Sequence, residues 1–108
     1  MEPKLITTLE DFEATFVEKG TYRLLRGEYA YGGTAIMAQD EEGEPAFVLS
    51  VFLENREPEP GYFWAKDYSE NEGIVEELER RGIVEKAGRE AISGYVVLSL
   101  YRLTEEYR

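Results

Sequence analysis

Eight consecutive residues, Ala46-Phe47-Val48-Leu49-Ser50-Val51-Phe52-Leu53, place apolar side chains at both parities of an extended chain. A strand points successive side chains to opposite faces, so this run suits a central strand covered on both sides better than an edge strand with one wet face. Something must pack against each face. Interrupted by Ser50, the run is also far short of the ~20 apolar residues needed to span a bilayer as a helix. Residues 94–103, with Val96, Val97, Leu98, Leu100 and Tyr101, show the same two-sided character. Both segments are expected to be interior strands.

Around them the chain reads as one domain over residues 1–108, with no internal repeat and no linker. Residues 8–19 predict a helix: Thr8 and Asp11 have capping-box spacing, Leu9, Phe12 and Phe16 share a face, and Gly20 stands where a helix stops. Residues 21–29, 34–39 and 45–53 read as extended segments separated by Gly32-Gly33 and by the acidic cluster 40–44, both hairpin turns. Pro58 and Pro60 make 54–61 an exposed loop, and 62–66 a short strand. Beyond it, Ser69 and Glu72 form a second capping-box spacing, Ile74, Val75 and Leu78 an apolar face, and Gly82 a stop. The expected fold is therefore α+β: an antiparallel or mixed sheet of about five strands with two helices packed on it.

Charge and missing residue types narrow the chemistry. The 108 residues contain 23 acidic and 12 basic side chains, a formal net charge of −11, with no histidine and no cysteine. Disulfides, thiol nucleophiles, zinc ribbons and the commonest general base are excluded. Ser50, Ser69, Ser93 and Ser99 have no histidine to activate them, and no phosphate-binding glycine loop is present. The expectation is a protein that is not an enzyme and uses no cofactor or metal. A surface this acidic repels nucleic acid and anionic membrane and favours encounter with basic proteins. The start of the chain, Met1-Glu2-Pro3-Lys4, has no basic stretch leading into an apolar one, and a cytoplasmic location is expected.

Candidate binding residues are acidic or aromatic. On the second helix Glu72, Glu76 and Glu79 fall at i, i+4 and i+7, a line of carboxylates at a pitch that could imitate a phosphate backbone. An exposed helix face is normally charged, however, and acids near its amino end are favoured by the dipole. Asp40, Glu41, Glu42 and Glu44 surround Gly43 without the ligand order of a calcium loop, and turn solvation is the better reading. Asp67 and Glu70 beside Tyr68 are where an acid–base pair would be sought. Tyr62, Phe63, Trp64 and Tyr68 concentrate aromatic groups before the acidic helix, with room for an exposed anchor at Trp64 or Tyr68. Tyr22, Tyr29 and Tyr31 could mark a self-association edge and hence a homodimer.

Four blocks, Gly33-Thr34-Ala35-Ile36, Gly43-Glu44-Pro45, Lys66-Asp67-Tyr68-Ser69-Glu70-Asn71-Glu72-Gly73 and Ser93-Gly94-Tyr95-Val96, occur in that order and spacing. Together they resemble a small uncharacterised family of bacteria, plasmids and phages, domain of unknown function 4313, over about residues 31–103. The resemblance implies no catalytic residues. Its occurrence on mobile elements implies a role in conflict with host defence. The expected function is a non-enzymatic inhibitor of anti-CRISPR or anti-restriction type, occupying a basic nucleic-acid-binding surface with its acids. Two rivals share the residues: a small-ligand binder with a Tyr- and Trp-lined pocket, and an immunity or antitoxin protein with one cognate toxin.

Overall fold

The structure is a computed structural model that describes residues 3–30, 32–54 and 56–108. Met1, Glu2, Asn55 and Tyr31, the last a candidate edge tyrosine, lie outside the described residues. The chain is mostly strand: β1 (Lys4–Ala14), β2 (Val17–Glu28), β3 (Thr34–Gln39), β4 (Pro45–Val48), β5 (Ser50–Val51), β6 (Tyr62–Ala65), α1 (Ile74–Arg80), β7 (Val84–Ser93) and β8 (Val96–Leu103). They form two antiparallel four-stranded sheets, β1-β2-β3-β4 and β5-β6-β8-β7. The α+β expectation of one five-stranded sheet under two helices is thus corrected. Among the described residues α1 is the one α-helix, and none is long and apolar enough to cross a membrane.

The helix expected over 8–19 is instead the turn end of the β1–β2 hairpin, for a physical reason. Leu9 and Phe12 are both buried, and in a regular strand residues three apart face opposite sides. A bulge resolves this: the register shifts between Leu9 and Phe12, and Asp11 takes φ 50°. The extra residue returns Phe12 to the core face, so a three-residue spacing that suggested a helical face arises in a strand. Phe16, the third member of that face, sits in the hairpin turn and is 67% exposed.

The two-sided run 46–53 is likewise not one interior strand. It leaves the first sheet as edge strand β4 and enters the second as edge strand β5. Leu49 is the joint: its N–H donates to the Ile36 carbonyl (2.9 Å), while its own carbonyl accepts from the Lys66 N–H (2.7 Å). Phe47 and Leu49 therefore enter the main core, and Val51 and Leu53 enter a smaller cluster around Trp64, Leu98 and Leu100 on the other face of the second sheet. Apolarity at both parities reflects two cores served in turn. By contrast β8 is interior, lying between β6 and β7.

The main core joins Leu9, Phe12, Leu24, Ile36, Phe47 and Leu49 of the first half to Phe63, Tyr101 and Leu103 of the second, with Ile74, Val75 and Leu78 of α1 packed among them. Where β4 and β6 diverge, the buried Asn71 fills the gap, its Nδ2 donating to the carbonyls of Val48 (2.7 Å) and Lys66 (3.3 Å). Strand β7 was not expected at all. Its Glu85, Lys86, Arg89 and Glu90 hide the period of an edge strand, and a second bulge interrupts it between Lys86 and Glu90.

Candidate functional site

The helix after Ser69 is shorter than its sequence suggests. Ser69–Asn71 form a 3-10 turn, Gly73 at φ 86° resets the chain, and α1 begins at Ile74 with no side-chain cap bond. The second capping box is therefore not made. Glu72 precedes the helix, so the three-membered stripe is broken, and only Glu76 and Glu79 share α1. All three are exposed. Between them Glu77 turns inward, taking Arg80 at 2.5 Å and Arg81 at 2.8 Å. Those guanidinium bonds lower its carboxyl pKa to about 2. Arg81 then reaches β1, donating to the carbonyls of Glu10 (2.9 Å) and Asp11 (3.0 Å) at the bulge.

Other candidates are spent on structure. The Asp40 carboxylate accepts from the N–H groups of Glu42 (3.0 Å) and Glu44 (2.9 Å), closing the β3–β4 turn, while Glu41, Glu42 and Glu44 point to solvent. Glu70 is paired with Lys66, whose hydrogen bond holds its carboxyl at about 2, so it stays ionised at neutral pH and cannot donate a proton beside Tyr68. The Lys66 ammonium also lies 5.4 Å over the half-buried Tyr68 ring. Trp64 is not an exposed anchor: it is 7% exposed, and its indole N–H donates to the Arg56 carbonyl (2.9 Å). Ser50 is buried, its Oγ accepting from the Ile36 N–H (2.9 Å) and sharing a hydrogen bond with the Tyr29 hydroxyl (2.7 Å).

The void between Tyr29, Phe52 and Trp64 measures about 10 Å³, against ~300–1,000 Å³ for small-molecule pockets. Two larger open grooves, about 440 Å³ beside Lys4, Arg26 and Tyr107 and about 490 Å³ beside Phe16, Val48 and Lys66, contain neither Trp64 nor Tyr62. Among the described residues no group of three or more carboxylates is placed to hold a metal ion.

Asp67, Glu76 and Glu79 share an electrostatic influence on one residue, which the sequence marks only as strand material. Tyr101 of β8 is 2% exposed. Burial first, then the charges of Glu79, Glu76 and Asp67, push its hydroxyl pKa up to about 12. Only the two-sided pattern of 94–103 marked this position, and it gave no sign that carboxylates would gather there. Comparison of the chain with protein-family models, curated proteins and solved structures finds no match in any of the three.

Proposed function

We propose that the protein acts by binding: its carboxylates occupy the basic nucleic-acid-binding surface of a host defence protein, and its chemistry is stoichiometric inhibition. The observation that carries this reading is the distribution of unspent acid. Among the described residues Lys66, Arg80, Arg81, Arg89, Arg102 and Arg108 are absorbed by four glutamates, Glu59, Glu70, Glu77 and Glu85. Among the described residues Glu41, Glu42, Glu44, Asp67, Glu72, Glu76 and Glu79 make no ion pair, and a net charge of −11 is left to face outward. Such a field attracts basic surfaces and raises association rates. The burial of Trp64 and the 10 Å³ void beside it weigh against the aromatic-pocket alternative. The mobile-element setting rests on the resemblance to the uncharacterised phage and plasmid family.

A competition assay tests this. Restriction and CRISPR effector complexes are loaded with fluorescent duplex DNA, and the protein is titrated in. DNA should be displaced from at least one effector class at near-stoichiometric protein, less so as salt rises. Full retention of DNA across the panel would remove the reading.

A further inference from the structure

The second sheet continues beyond the helix that covers it. On β8 residues 97, 99, 101 and 103 share a face, and Tyr101 and Leu103 on that face belong to the main core with α1. The register sets Ile92 opposite Val97 and Glu90 opposite Ser99 on the β7 side, and Ala65 opposite Ser99 on the β6 side, with Asp67 two residues past Ala65. Cover ends beyond the buried Ala65 and the half-buried Ser99: Val97 is 52% and Ile92 72% exposed. An apolar cross-strand pair thus lies bare on the same face as a packed core. The Tyr101 hydroxyl makes no hydrogen bond among the described residues. The charges of Glu79, Glu76 and Asp67 act on that hydroxyl, and none of these acids has a cation of its own among the described residues.

We infer that this face seats a basic amphipathic segment of a partner protein: a lysine or arginine enters among Tyr101, Glu76, Glu79 and Asp67, and apolar side chains of the same segment lie on Val97 and Ile92. The inference rests on the proposed acidic-binder function and names the place where it operates. Charge complementarity selects the occupant. A second copy would bring Glu90, Asp67, Glu76 and Glu79 against their own likenesses in a chain of net charge −11. A metal ion would need three ligands that the described residues do not assemble. The spacing suits a helix, since four residues of strand between Val97 and Tyr101 cover about 13 Å, the rise of roughly nine helical residues.

The probe is an amphipathic helical peptide of about 18 leucines and lysines, compared with a scrambled peptide of the same composition. It is titrated into isotope-labelled full-length protein by NMR and calorimetry, with sedimentation of the free protein alongside. Shifts should cluster at Ile92, Val97, Tyr101 and α1. Both Glu76→Gln/Glu79→Gln and the β-branched pair Ile92→Thr/Val97→Thr should weaken binding about tenfold, while Glu41→Gln/Glu42→Gln should not. All these positions are exposed, and unchanged urea midpoints will confirm that the variants fold. Equal affinity for the scrambled peptide, shifts centred on the 40–44 turn, or a dimer held by Ile92 and Val97 would each overturn the seat. Absence of peptide binding with DNA displacement intact overturns the seat alone; peptide binding without displacement of DNA from any effector overturns the proposed inhibition alone.

Discussion

Asn71 uses one amide where a strand would use a ladder. Both of its contacts run from Nδ2 to carbonyls, those of Val48 at the end of β4 and of Lys66 just past β6. Replacing it with aspartate keeps the shape but turns a donor into an acceptor against two acceptors. Asn71→Asp should therefore cost more than Asn71→Ala, about 3 kcal/mol against about 1–2, because buried carbonyls lose their partner and in the first case also face a charge; urea unfolding of both variants measures the order. Tyr101 offers a test at the other end of the pH scale. Burial first, then the nearby carboxylates, hold its pKa at about 12 in the fold against an ordinary 10.0. Below pH 10 both states hold the proton and nothing changes. Above it the unfolded chain gives up a proton that the folded chain keeps, so stability declines as pH rises from 10 through 12. In Tyr101→Phe the fall in melting temperature over that interval should be smaller than in the parent, whatever the variant's stability at pH 7.

The bulge at Asp11 decides how the first hairpin is built, and it inverts the usual substitution rules. In a regular strand valine stabilises and glycine weakens. At φ 50° a β-branched side chain is strained and glycine is free. Asp11→Val should lose about 1–2 kcal/mol and Asp11→Gly should stay within about 1 kcal/mol of the parent in thermal unfolding; the opposite order would mean that residues 9–12 do not form this bulge. The same bulge explains what the sequence could and could not disclose. Strand β3 lies where its residues predict, and the turns at 32–33 and 40–44 were legible because glycine and Asp40 carry local instructions. The 8–19 helix was misread because a bulge converts period two into spacing three. The 46–53 segment was misread because apolarity at both parities is the same for one strand between two layers and for a chain that changes sheets at Leu49. Strand β7 was hidden by its charges. Of the candidate site, the exposure of Glu76 and Glu79 followed from helical phase, while their influence with Asp67 on the Tyr101 hydroxyl depends on long-range packing that no local pattern encodes.

At the scale of the molecule, one field should have two effects of opposite sign. The net charge of −11 is spread over a body about 35 × 29 × 24 Å, so unpaired carboxylates lie within a few Debye lengths of one another. Self-repulsion of this kind destabilises the compact state, and salt relieves it as the screening length shrinks from ~10 Å at 0.1 M to ~3 Å at 1 M. Salt also weakens the six ion pairs among the described residues, but exposed pairs contribute only ~0–1 kcal/mol each. The balance favours screening, and the melting temperature should rise with sodium chloride while association with a basic partner slows. Glu76→Gln/Glu79→Gln separates the terms. Removing two like charges near Asp67 should raise the melting temperature at low salt, lose that advantage at high salt, and slow association at low salt only. A melting temperature that falls as salt is added would assign the stability to the ion pairs, and the long-range acidic field would then have no measurable hold on either folding or encounter.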